Sequence, residues 1–184
     1  MTHTALLLID IQNDYFKGGA NPLVGSLEAS LKAQEILHYF RNKNLPVIHI
    51  RHLSTIPGAT YFLPETTGAV IHSNVQPLTD EKVITKQFPN SFRDTELWPF
   101  LTKLNITHLV ICGMMTHMCV DATVRAAKDY GFTCTLISDA CATKDLEIQN
   151  QQVKAADVQN SFLAALGYYY ATISSISEFI VENR

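Results

Sequence analysis

At 184 residues, with 47% hydrophobic and 17% charged content, the chain suits one domain, residues 1–184, with a full core and a cleft. A formal net charge of −3 and the lack of any Lys/Arg cluster argue against nucleic-acid or anionic-membrane partners. No apolar run reaches the length of a membrane span.

The chain opens with Thr4 to Asp10, a continuous apolar run that reads as a strand covered on both faces. Asp10 ends it with no basic flank or cleavage site, so it is not a secretion signal. A loop through Gly18, Gly19 and Pro22 follows. Leu27, Leu31, Ile36, Leu37 and Phe40 then fall near helical spacing, with Ser26 as the expected N-cap. Pro46–Ile50 is the second strand. Residues 52–80 carry three prolines and two glycines with little periodicity, the mark of a functional loop or inter-subunit arm.

Glu81–Lys86 is a short third strand, and Thr95 is the expected N-cap of a helix carrying Leu97, Phe100, Leu101 and Leu104. Thr107–Cys112 is the fourth strand, broken by Gly113, and a helical pattern follows Cys119. Phe132–Ser138 is the fifth strand and Ala140–Asp145 a loop. Val153–Leu166 is helical, closed by Gly167, and Tyr168–Ile173 is the sixth strand. Strands alternating with helices predict an α/β fold with a mainly parallel sheet.

The four cysteines (Cys112, Cys119, Cys134, Cys141) show no C-x-x-C spacing and read as reduced thiols of a cytoplasmic protein. Cys119 stands apart because it falls near the first turn of a helix, where unpaired N–H groups and the macrodipole favour a thiolate. Its alternative is a small apolar filler. Ligands of open α/β sheets bind beyond the carboxyl ends of the strands. Asp10, Lys86 and Cys119 all occupy such ends. Taken singly, Asp10 reads equally as a loop cap and Lys86 as a solvated strand terminus.

Three blocks carry a resemblance: L-L-L-I-D-I-Q-N-D-Y-F at 6–16, V-I-T-K-Q-F-P-N-S-F at 83–92 and I-C-G-M-M-T-H-M-C-V-D-A-T-V-R-A-A at 111–127. In order and spacing the chain resembles the isochorismatase-like cysteine hydrolase superfamily over nearly its whole length. The resemblance implies a Rossmann-like three-layer α/β/α fold with a six-stranded parallel sheet. It implies Asp10 as general base, Lys86 as its cationic partner and Cys119 as nucleophile. It also implies an oxyanion hole from the backbone N–H groups of Met115 and Cys119, a cis peptide between Met114 and Met115, and a homo-oligomer, dimer or tetramer. The expected reaction is hydrolysis of an amide, carbamoyl or ureido C–N bond of a small molecule through a thioester, with Lys86 lowering the thiol pKa.

The pocket is less determined. Gln12 and Tyr15 either face the ligand or bond the loop backbone, and Thr116 either orients the nucleophile loop or caps its helix. Phe16, Phe88, Phe92 and Trp98 either wall the pocket or pack in the core, Trp98 more readily in the core. Arg51 or Arg93 either pairs with a substrate carboxylate or lies at the surface. The nicotinamidase branch resembles an Asp-x-His metal site after the second strand, but this chain has His49-Ile50-Arg51-His52 there. His49, His52 and His72 make a metal site only on paper, so neither metal nor cofactor is expected. True isochorismatases lack the cysteine, and its presence points to C–N hydrolysis. The alternatives are a nicotinamidase-like or isochorismatase-like hydrolase and a non-catalytic ligand-binding member of the fold.

Overall fold

The computed structural model describes residues 3–183. The elements in chain order are β1 (Thr4–Ile9), α1 (Ser26–Asn42), β2 (Val47–His52), β3 (Lys82–Lys86), α2 (Leu97–Lys103) and β4 (His108–Met114). A π-helical turn (Thr116–Val120) runs into α3 (Asp121–Asp129), followed by β5 (Thr133–Ala142) and a small hairpin of β6 (Leu146–Ile148) and β7 (Gln151–Val153). The chain closes with α4 (Ala155–Tyr169), β8 (Thr172–Ser174) and α5 (Ile176–Glu182). No helix among the described residues is long and apolar enough to cross a membrane.

Six strands form one sheet in the order β3-β2-β1-β4-β5-β8, every neighbouring pair parallel. The chain leaves β1 toward β2 on one side and leaves β4 toward β5 on the other. Right-handed crossovers therefore put α1 and α3 on opposite faces. Helix α5 packs with α1, and α4 with α3, which completes three layers. All six β1 residues are buried, as are Leu109–Cys112 of β4, because helices cover both faces.

Several boundaries differ from the sequence-based expectation. Gly113 does not break β4. It carries the strand on at φ 137°, and a Cβ there would lie 2.1 Å from the Ile9 carbonyl oxygen, so only glycine lets β4 approach β1 at that level. The register with β5 shifts between Ile111 and Gly113, and β5 runs on to Ala142 through residues expected to be loop. Gly167 lies inside α4, which continues through Tyr168 and Tyr169 and leaves only a three-residue β8.

Capping differs too. Gly25, at φ 70°, holds the N-cap of α1, and Ser26 is its first residue. Leu27 and Leu31 face outward, while Ala29, Ala33, Ile36, Leu37 and Phe40 form the buried stripe. Glu96 stands at the N-cap of α2, although the Thr95 hydroxyl still accepts the Leu97 N–H at 3.2 Å.

The 52–80 segment folds back over the carboxyl ends of the strands through two single-turn 3-10 helices, Thr67–Ala69 and Ser73–Val75. Its anchors come from the loop after β1. Gln12 forms an isolated bridge with Ile71, and Asp14 accepts the Phe62 N–H at 2.6 Å and the Ala20 N–H at 3.1 Å.

Candidate active site

The sheet order reverses direction at β1 and β4, whose ends lie level with each other, Ile9 opposite Gly113. A crevice belongs at that position on topological grounds alone. Asp10 leaves the sheet there in a left-handed conformation, φ 51°, with its N–H donating to the Ile50 carbonyl at 3.1 Å. That turn swings its side chain across the strand ends. Lys86 and His52 close β3 and β2 and are register partners.

The three strand-end residues meet. Lys86 Nζ donates to Asp10 Oδ2 at 2.6 Å, with both side chains fully buried, and to His52 Nδ1 at 3.0 Å. Cys119 approaches from the other side of the switch point. It sits on the π turn after a cis Met114–Met115 peptide. Its sulfur and one donor atom each of Asp10 and His52 lie within 4.8 Å of one another. A buried ion pair of this kind is sustained only by good geometry and further hydrogen bonds. Asp10 Oδ1 nevertheless remains buried with no hydrogen-bond partner.

Cys119 departs from the expected electrostatics. Burial pushes its thiol well above the ordinary cysteine range, the Asp10 charge adds to this, and Lys86 offsets it only in part. The helical path also begins earlier than expected, at Thr116, so Cys119 lies late in its first turn, one residue before the Val120 N–H that donates to the Met115 carbonyl at 3.3 Å. For Lys86, burial works to lower the pKa, but Asp10 and Cys119 prevail and raise it. Burial first and then Lys86 lower His52, which is neutral near pH 7. Burial, Cys119 and Asp10 raise the Tyr15 phenol.

The other expected site residues divide. Met115 lies in the nucleophile loop, and its N–H donates to no acceptor among the described residues. Tyr15 is buried against Phe62 and close enough to feel Cys119 and Asp10. Phe16 stacks on His72 with ring centroids 3.7 Å apart, at the edge of a 620 Å³ cleft. Gln12 faces no ligand: it accepts the His52 N–H at 2.7 Å and donates to the carbonyls of His52 and Ala69. Thr116 donates to Gln159 Oε1 at 2.7 Å and to the Ala142 carbonyl at 3.2 Å, which ties the π turn to α4 and β5.

Four candidates sit elsewhere. Arg51 donates to Thr85 Oγ1, one position away from Lys86 and so on the opposite sheet face. Phe92 packs in the core against Tyr130 and Phe132. Phe88 lies under the Arg93 guanidinium, and Arg93 itself pairs with exposed Asp94. Trp98 is half-exposed against Tyr130.

The residues missing from the sequence-based site are His52, as a partner of Lys86, and Tyr61 and Phe62 of the 52–80 segment. Tyr61 lies close enough to Cys119, Asp10 and Lys86 for their charges to act on it. His52 was open to the strand-end argument that found Asp10 and Lys86; the two aromatic residues carried no such mark. His49, His52 and His72 do not converge. His49 Nε2 lies 2.9 Å from Glu81 Oε2, and His72 Nδ1 accepts the Asn74 N–H. The donors of Asp10, His52 and Cys119 are close enough to meet at one ion, but the Lys86 ammonium already bonds two of them and opposes a divalent charge there.

A doubly wound sheet with an ionisable cluster at its switch point has the architecture of an α/β protein with a ligand site at the strand ends. The chain belongs to the isochorismatase family: the family model described as Isochorismatase domain matches residues 4–178. It is 45% identical over 177 residues to the uncharacterized isochorismatase family protein YddQ of Bacillus subtilis, covering 96% of this chain and 98% of that one. The structure of a putative isochorismatase hydrolase from Oleispira antarctica superposes with a TM-score of 0.94 at 48% identity, covering 98% and 97% of the two chains. Streptothricin hydrolase of Streptomyces noursei is 32% identical over 88% of this chain and 55% of its own length.

Proposed function

We propose that this hydrolase cleaves an amide, carbamoyl or ureido C–N bond of a small molecule through a thioester on Cys119. The observation that carries the reading is the buried Asp10–Lys86 pair at 2.6 Å with the Cys119 sulfur beside it and Asp10 Oδ1 unengaged. Sulfur attack on the carbonyl carbon is accompanied by loss of the thiol proton, and the adjacent Asp10 carboxylate accepts it. Lys86 stabilises the negative charge that develops on the sulfur as its proton passes to Asp10.

The tetrahedral oxyanion takes the backbone N–H groups of Met115 and Cys119 as donors. Collapse breaks the C–N bond as Asp10 returns the proton to the departing nitrogen, leaving a thioester and a free amine. Water then attacks the thioester, giving its proton to Asp10, and the carboxylic acid departs with the thiol restored. Cys119 is 6% exposed, and Tyr15, Tyr61 and Phe62 crowd the cluster, which favours a compact substrate.

The test is ammonia or amine release across a panel of small amides, carbamoyl compounds and ureido acids, comparing wild type with Cys119→Ala. Loss of turnover by about 10⁴-fold or more is expected, together with a covalent acyl adduct on wild type alone in intact-mass spectra. Equal turnover in both proteins refutes the nucleophile. Absence of turnover and adduct in wild type across the panel supports a ligand-binding role instead.

A further inference from the structure

The Lys86 ammonium has hydrogens to give and no lone pair, so a 3.0 Å contact with His52 Nδ1 has one polarity only: the imidazole accepts. A neutral ring that accepts at Nδ1 carries its proton on Nε2. We infer that His52 is a positioning residue that locks the Lys86 ammonium between Asp10 and Cys119 through this single tautomer. The inference rests on the proposed hydrolysis only for its effect on turnover.

The surroundings are built for that role. Gln12 grips the His52 backbone from both sides, accepting its N–H and donating to its carbonyl, and is itself tied to the Ala69 carbonyl. This explains a fully buried glutamine beside the cluster that makes no contact with a reacting group. The charged and titratable groups facing the ring are Lys86, Asp10 and Cys119, and the Phe62 ring lies 5.9 Å away. Two of the three ammonium hydrogens go to Asp10 Oδ2 and His52 Nδ1, which leaves the third free in a cluster where the Cys119 sulfur lies within 4.8 Å of the Asp10 and His52 donors.

Without an acceptor at Nδ1 the ammonium is free to rotate and shift, and a displacement of about 1 Å in a reacting group costs on the order of 10²-fold in rate. Protonation of His52 has the same consequence, because it replaces an acceptor by a second cation beside Lys86. A merely structural histidine would be indifferent to its tautomer and would tolerate an apolar replacement of similar volume.

The experiment combines a ¹⁵N-imidazole NMR titration of the wild-type protein with variants His52→Asn and His52→Leu. The expected spectrum shows His52 as the neutral Nε2–H tautomer, titrating below the ordinary histidine range. His52→Asn keeps an acceptor near Nδ1 and should alkylate at Cys119 with iodoacetamide, and turn over substrate, within about threefold of wild type. His52→Leu, matched for melting temperature, should lose roughly 10- to 100-fold in both rates with KM little changed. An Nδ1–H tautomer, or a folded His52→Leu protein alkylating at the wild-type rate, overturns the inference. The NMR and alkylation results need no substrate, so they stand even where the amide panel fails. If His52→Leu does not fold, the tautomer and the Asn variant decide the matter.

Discussion

Two ionic clusters flank the same short strand β3, one partly and one fully buried, and they differ in what each leaves over. At its start, Glu81 accepts two hydrogen bonds from the Arg41 guanidinium at 2.7 Å and one from the Leu78 N–H, and lies 2.9 Å from His49 Nε2. Both carboxylate oxygens are engaged, as a group buried for structure requires. At its end, Asp10 and Lys86 form an equally tight pair, yet Asp10 Oδ1 has no partner and a thiol stands beside it. A closed network holds elements together, whereas an open one retains a lone pair for a moving proton. Pair distance hardly differs between the clusters, 2.7 Å against 2.6 Å, but the catalytic candidate is fully buried while Arg41 and Glu81 are partly exposed.

The sharpest break of this comparison is a matched pair of amide substitutions. Asp10→Asn preserves shape but removes the proton acceptor, and turnover should fall on the order of 10⁴-fold; melting should fall too, because the buried Lys86 ammonium loses its counter-charge. Glu81→Gln should separate the two effects. It should leave turnover within about twofold while costing about 3 kcal/mol, because the Arg41 charge loses its partner. In a domain of this size that lowers the melting temperature by roughly 5–10 °C.

Acid should reveal the same asymmetry. Burial alone would raise the Glu81 carboxyl, but Arg41, the Leu78 N–H and His49 bring it down to about 2. A carboxylate depressed in the folded state stabilises above its unfolded value, near 4.5, and that stabilisation disappears as pH falls toward about 2. Melting curves of wild type and Glu81→Gln should converge across that window. Convergence above pH 5 would show that the network contributes through something other than this carboxylate.

The cover over the site offers a second, smaller break. Asp14 bonds the Phe62 N–H, and a Cβ on Gly68 would fall 2.1 Å from Asp14 Oδ1. Gly68→Ala should therefore cost about 1–3 kcal/mol and loosen the latch holding the aromatic cover. Iodoacetamide should then reach Cys119 several-fold faster, with Cys112 still protected in the sheet. An unchanged alkylation rate with lowered melting would show that the latch supports the fold without gating the thiol.

The sheet and its reactive strand ends were legible because burial on both faces leaves an unbroken apolar signature, and a charged residue closing such a run is conspicuous. Asp10 is of this kind, whereas Lys86 ends an edge strand that alternates buried and exposed residues. Gly113 misled because a glycine required by close strand contact looks the same in sequence as one that ends a strand. Gly167 misled similarly, inside a helix. The cover was hidden for a different reason. Phe62 is held by a hydrogen bond to Asp14, 48 residues away, and no local pattern encodes so distant a tether. The thiol's shift runs opposite to the expected one because position in a helix was weighed without burial, which is the largest cause acting on it.

The smallest expected effect tests the face assignment itself. Arg51 and His52 are neighbours on β2, so their side chains leave opposite faces of the sheet. His52 reaches Lys86, while Arg51 donates to Thr85 Oγ1. Arg51→Ala should keep kcat/KM within about twofold of wild type for carboxylate-bearing and neutral substrates alike, because a half-exposed guanidinium away from the cluster steers no reacting group. A selective loss on the carboxylate-bearing substrates alone, tenfold or more, would mean that substrate extends around the edge of β2. The aromatic cover would then be a passage to be threaded, and the compact-substrate reading would give way to a longer, anionic one.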